Sequence, residues 1–157
     1  MADWRFARFD ELSPREVHDI FRARVAVFIL EQQCLFQDID GLDPQCWHLL
    51  MRSPPGGEIA AYCRLVPPGV KFAEPSIGRV VTTTSGRGRG LGRALVREAI
   101  GRASALWPDR DIRIGAQRHL ERFYGEFGFV RVSEPYDEDG IPHIDMLRRA
   151  PHHQEHA

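Results

Sequence analysis

The apolar positions change period along the chain. Trp4, Phe6 and Arg8 alternate with Arg5, Ala7 and Phe9, the period-two pattern of a half-buried first strand. Ser13-Pro14-Arg15-Glu16 then forms a capping box with proline at the first helical position, so a helix is predicted to begin there. Its apolar face is Val17, Ile20, Phe21, Val27 and Phe28 at helical spacing. The pattern gives way to a loop carrying Asp38, Asp40, Gly41, Asp43 and Pro44. These acids read as a solvated loop, with attraction of a cationic acceptor as the functional alternative; the continuation needed for a calcium loop is missing.

Two short apolar runs, 46–51 and 59–66, flank Ser53-Pro54-Pro55-Gly56-Gly57 and predict a hairpin. After Pro67-Pro68-Gly69, the β-branched run 77–83 predicts a buried strand, with Gly78 as the place for a bulge or close backbone approach. A glycine-rich stretch, 85–92, leads directly into a helix whose apolar face is Leu95, Val96, Ala99, Ile100, Ala103 and Leu106. Pro108 ends that helix and 112–116 reads as the next strand, which makes the helix a crossover between parallel or splayed strands. Leu120, Phe123, Tyr124 and Phe127 mark a short helix stopped at Gly128, and 129–132 and 143–146 supply closing strands. The fold class is therefore α/β, one mixed sheet with helices packed on it.

Length and composition narrow the classes. The 157 residues with 43% hydrophobic content suit one domain over 1–150, followed by a flexible tail at 151–157. A net charge of −1 gives no global attraction to nucleic acid or an anionic membrane, so any anion site must be local. Neither a signal peptide nor a membrane span is recognised, and a cytoplasmic protein is expected. Cys34, Cys46 and Cys63 are an odd set without a Cys-x-x-Cys pair and read as reduced, buried thiols. The tail histidines at 152, 153 and 156 lack a carboxylate at fixed geometry, so no metal is expected.

The local anion site is the glycine loop. A helix N-terminus offers unpaired N–H groups and partial positive charge, and glycines let a phosphate reach the backbone. Arg87, Arg89 and Arg93 add full charges. No Lys-Ser/Thr pair completes a P-loop, and glycines at 86, 88, 90 and 92 do not satisfy G-x-G-x-x-G. An Arg-Gly tract for RNA would be long, repeated and disordered, whereas this one joins two regular elements.

What remains, Arg87-x-x-Gly90-x-Gly92 between a β-branched strand and an amphipathic helix, resembles the pyrophosphate loop of the GNAT acyltransferase superfamily. The stretch from Gln117 to Phe129, with Tyr124 in a short helix ending Gly-Phe, resembles the second signature of that superfamily. Arg24 to Phe28 with Glu31-Gln32, then His48-Leu49, Ile77 to Val80, Ala116-Gln117 and Tyr136 to His143 resemble the ElaA-like branch. The resemblance implies splayed central strands and an acyl-coenzyme A, acetyl-CoA first, in the cleft between them. Its pantetheine arm would pair with the backbone at Val80, Val81 and Thr82. Its pyrophosphate would rest on Arg87, Gly88, Arg89, Gly90, Leu91, Gly92 and Arg93, and Gln117, where many members carry asparagine, would add a contact. The implied activity is N-acetyl transfer to a small-molecule or protein amine, without metal, nucleic acid or membrane, and with room for a homodimer. A coenzyme A-binding sensor or interaction module without turnover is the alternative.

Acyl transfer from a thioester to an amine needs a neutral amine, a stabilised oxyanion and a protonated leaving thiolate. An amine of pKa about 10.4 is neutral roughly once in 2,500 at pH 7, at a cost of about 4.6 kcal/mol without a base. By resemblance and loop position the candidate bases are Glu31 and His48, with Glu138 and His143 behind them. Periodicity alone reads Tyr124 as part of the apolar stripe of its helix, whereas its family position makes it the acid for the thiolate. A backbone N–H in 77–82 is the expected oxyanion donor.

Overall fold

The computed structural model describes residues 3–151; the tail histidines lie outside the described residues. The first strand is β1 (Arg5–Arg8), and helix α1 (Pro14–Arg24) starts as the capping box dictates. The Glu16 N–H donates to Ser13 Oγ at 3.1 Å, and the Ser13 N–H donates to Glu16 Oε1 at 2.8 Å. From Val25 to Glu31 the winding widens to a π-helix, a form that occurs mostly as short interruptions at functional sites.

The hairpin consists of β2 (Trp47–Arg52) and β3 (Ile59–Val66), followed by β4 (Ser76–Thr82), α2 (Leu91–Leu106) and β5 (Ile112–Gln117). The short helix α3 (Glu121–Gly125) and strands β6 (Val130–Arg131), β7 (Tyr136–Glu138) and β8 (Ile141–Arg148) complete the described chain. The fold is mixed α/β with splayed central strands and flanking helices. In place of one continuous sheet there are two antiparallel ones, β1-β2-β3-β4 and β5-β8 with β6 and β7 also paired to β8.

The division falls between β4 and β5. At their starts the Arg113 N–H donates to the Pro75 carbonyl at 3.0 Å, and no ladder follows, so the two strands diverge towards Thr82 and Gln117. A β-bulge adds to the divergence. Tyr62 pairs with Val81 and Arg64 with Gly78, which leaves Arg79 and Val80 together opposite Cys63. The residue in the left-handed region is Arg79, with φ +51°, rather than the neighbouring glycine.

Strand β3 is buried on both faces. Ala61, Cys63 and Leu65 pack with Leu95, Val96 and Ala99 of α2 and with Tyr124, while Ile59 and Tyr62 pack on the other face with Ile20 and Ala23 of α1. All three cysteines are free and buried. No helix among the described residues is long and apolar enough to cross a membrane.

Candidate active site

The cleft between β4 and β5 holds a cavity of about 330 Å³. Ile77 to Val80 line it from β4 and Ile114 to Gln117 from β5, together with Phe28 of the π-helix, Gln32 just after it, and Tyr124 of α3. Tyr124 is 8% exposed, and its ring packs edge-on against Phe123 and Phe129. Its hydroxyl has no hydrogen-bond partner among the described residues. Burial raises its pKa well above the ordinary phenol value, with the nearby Cys63 thiol adding to the rise, so it holds its proton at neutral pH. Tyr124 therefore extends the apolar stripe and also reaches the cavity.

At the C-terminal end of β4 the chain enters the glycine loop. Gly86 is buried so closely under β3 that a Cβ would drive into the Ala60 carbonyl. Gly88 and Gly90 have φ of +79° and +70°, and a Cβ at either would meet nothing within 4 Å. Gly90 is the N-cap of α2 and supplies no side-chain cap, so the first-turn N–H groups of the helix stay available to an anion. Around this opening Arg87 donates to the Thr82 carbonyl and to Glu31, Arg89 donates to Ser53 Oγ and the Ser85 carbonyl, and Arg93 pairs with Glu126.

Of the residues expected to hold the cosubstrate, Val80 and Gln117 line the β4–β5 cavity, and Gln117 touches Gln32 at 3.4 Å; Val81 and Thr82 end β4, and Arg87, Gly88, Arg89, Gly90, Leu91, Gly92 and Arg93 follow in the loop and first turn of α2, outside the lining of that cavity. Glu31, the last residue of the π-helix, does not line the cavity that Tyr124 reaches. It lines a larger cavity of about 700 Å³ with Ala26, Val27, Ile59 and Thr83 to Ser85, whereas Phe28 and Gln32 of the same segment face the β4–β5 cavity.

His48 lies elsewhere. It is 1% exposed, its Nδ1 is 2.8 Å from the Tyr62 hydroxyl and its Nε2 is 3.0 Å from the Asp43 carbonyl. Both nitrogens are engaged, and it lines neither cavity. The expectation of a base there is corrected to a buried connector between β2, β3 and the acidic loop.

That loop is not solvated either. Arg24 Nε donates to Asp38 Oδ2 at 3.0 Å and its Nη1 to Asp43 Oδ1 at 2.6 Å. Arg64 Nη1 donates to the same Asp43 oxygen at 3.1 Å, and its Nη2 donates to Asp40 Oδ2 at 2.7 Å. Arg79 Nε lies 2.8 Å from Asp38 Oδ1. Burial by itself would raise the Asp40 pKa, but the Arg64 hydrogen bonds and charge hold it far below the usual carboxylate range. These interactions fix the bulged Arg79 and with it the wall of the cavity.

Glu138 and His143, the further candidates from the sequence, both line the β4–β5 cavity. His143 is the cross-strand partner of Gln117 and of Tyr136. Its Nε2 lies 3.2 Å from Glu138 Oε2, and its Nδ1 donates to the Ile141 carbonyl at 2.8 Å. Strand β7, which carries Glu138, was missed because its three residues are all exposed and show no alternation. Among the described residues no group of three or more His, Cys, Asp or Glu side chains is arranged to hold a metal.

Residues 16–149 match the family described as the Acetyltransferase (GNAT) domain, and the chain belongs to that family. Within it the chain falls in the ElaA-like branch. Protein ElaA of Escherichia coli is 37% identical over 94% of this chain and 97% of its own, and its crystal structure superposes with a TM-score of 0.87, covering 95% of this chain and all of that one. An acyl-CoA N-acyltransferase from Pseudomonas aeruginosa is 39% identical with a TM-score of 0.89, covering 94% of this chain and 99% of that one. The UPF0039 protein sll0451 of Synechocystis is 44% identical over 95% of this chain and 96% of its own.

Proposed function

We propose that this protein moves an acyl group, acetyl in the first instance, from acyl-coenzyme A to an amine by direct attack in a ternary complex. The observation that carries this reading is the Tyr124 hydroxyl, which reaches the β4–β5 cavity without a hydrogen-bond partner among the described residues, beside a strand, β4, that runs on into the uncapped start of α2. The chain fits the cosubstrate because Gly88 and Gly90 leave the backbone open to a pyrophosphate among three arginines. The unpaired edge of β4 at Val80 to Thr82 suits the amide groups of a pantetheine arm.

The bulge at Arg79–Val80 lies outside the regular β3–β4 pairing, and we assign the oxyanion donor to a backbone N–H there. The Glu138–His143 pair replaces His48 as the acceptor's base, because both side chains line the cavity. Tyr124 protonates the leaving thiolate. For free groups of pKa about 10 and 8.5 that transfer costs about 2 kcal/mol, and burial of the Tyr124 hydroxyl raises that cost to the extent that the thiolate beside it is less desolvated.

The test is calorimetric titration with acetyl-coenzyme A, followed by thiol release against a panel of amines. Saturable binding lost in Arg87→Ala, together with amine-dependent thiol release, supports the reading. Binding without release for any amine favours a coenzyme A-binding module, and no binding removes both readings.

A further inference from the structure

We infer that the acceptor is a small zwitterion, a free α-amino acid with an apolar side chain, and that Lys71 selects it by holding its carboxylate. This rests on the proposed acyl transfer and identifies the acceptor at that site.

Lys71 is the single lysine of the chain, beside twenty arginines. It stands on the β3–β4 connection, exposed, and lines the β4–β5 cavity. Its ammonium rests 5.4 Å from the centre of the Phe72 ring, and the Arg113 guanidinium packs on the same ring at 5.4 Å. The connection is anchored by the Gly69 N–H to the Phe72 carbonyl at 2.7 Å and by Arg110 Nη2 to the Ala73 carbonyl at 3.0 Å. The other cation lining this cavity, the Arg79 guanidinium, is committed to Asp38 and Asp40. Lys71 has neither a hydrogen bond nor an ion pair among the described residues, so it is the cation left to meet an anionic ligand group.

The same cavity carries carboxylates for the amine. Glu138 and Asp139 project from the β7–β8 turn, Glu138 engaged with His143 and Asp139 without a side-chain partner among the described residues. The lining is mixed: Phe28, Phe36, Ile77 and Ile141 offer apolar surface to a side chain, beside the polar Gln32, Gln37 and Ser76. An ammonium and a carboxylate on one small molecule match both signs at once. The side chain of a peptide lysine or a diamine would bring a second cation towards Lys71 with no carboxylate to offset it, and like charges facing each other select against the wrong partner. A cavity of about 330 Å³ also has to hold the acyl end of the donor, which favours a small acceptor.

The test uses matched pairs that differ only by the carboxylate: L-phenylalanine with 2-phenylethylamine, and L-leucine with 3-methylbutylamine. Wild-type protein is expected to give kcat/KM at least about 10-fold higher for each amino acid than for its decarboxylated partner. Lys71→Met should lower the amino-acid value by about 10-fold or more while leaving the plain amine and the acetyl-coenzyme A affinity within about two-fold. Equal use of both members of each pair, or an equal loss on both in Lys71→Met, overturns the inference while leaving acyl transfer intact. If no amine releases thiol, the transfer reading fails, and saturation-transfer NMR with coenzyme A-saturated protein decides the acceptor separately. Amino-acid binding that disappears in Lys71→Met then supports the carboxylate site, and binding that is absent or unchanged by the substitution overturns it.

Discussion

Glu31 and Arg87, 56 residues apart, form an ion pair at 2.5 Å at the entrance to the glycine loop, with the Arg87 Nε also donating to the Thr82 carbonyl. The guanidinium that the anion site needs is thus already held by a carboxylate facing the larger cavity, and a bound pyrophosphate would compete for it. Glu31→Gln is expected to tighten acetyl-coenzyme A binding by about two- to five-fold, the scale of an exposed pair, with kcat within about two-fold. Titration calorimetry and steady-state rates check both. A loss of about 100-fold in kcat would instead return Glu31 to the role of base.

Tyr124→Phe is expected to lower kcat by about 100-fold or more while the dissociation constant for acetyl-coenzyme A stays within about two-fold. The edge-on contacts of the ring survive the substitution, and only the hydroxyl facing the cavity is lost. Unchanged turnover at saturating amine would remove the acid role.

Two glycines of the same loop should fail in different ways. At Gly86 an added Cβ meets the Ala60 carbonyl, so Gly86→Ala is expected to cost about 2 kcal/mol or more of stability, read from the urea midpoint. At Gly90 the space is open but φ is +70°, and an aspartate there brings negative charge to the start of α2. Gly90→Asp is expected to remain folded by circular dichroism and to lose acetyl-coenzyme A binding by about 100-fold.

His48 makes stability depend on pH. Burial depresses its pKa below the ordinary value, chiefly by penalising the charged ring and secondarily through the Arg24 and Arg64 charges, although the Asp43 carbonyl and charge act in the other direction. The unfolded chain therefore binds more protons. The contribution is complete above pH about 6.5 and is lost as pH falls through the folded value. Urea denaturation from pH 7.5 to 5 is expected to show a falling midpoint, and His48→Gln should flatten that slope. An equally steep slope in the variant would place the titrating group elsewhere.

Much of the glycine loop and its helix was legible in the sequence because its signals are local. The Ser13 capping box, the glycines before α2 and the apolar face of α2 each depend on residues within a few positions, and each reappears where the pattern put it; α3 ends at Gly125, and Gly128, with φ +91°, closes the turn after it. Tyr124 was legible by family position, while its dual place on the core and the cavity needed the packing of α3 against β3.

The acidic loop beside the β4–β5 cavity depends on partners far apart in the chain. Asp38, Asp40 and Asp43 read as solvated because their arginines, at 24, 64 and 79, come from a helix and two strands that only the tertiary structure brings together. Arg79 lies in the left-handed region that a sequence reading reserves for the glycine beside it, and these ion pairs offset the strain. Sequence by itself determined the helix starts, the glycine loop and the crossover, because backbone geometry and capping act over a few residues. Tertiary structure alone decided that His48 is a connector, that Glu31 faces the other cavity, and that Lys71, Glu138 and His143 line one cavity, because the surroundings of a charge are set by whatever the fold packs against it.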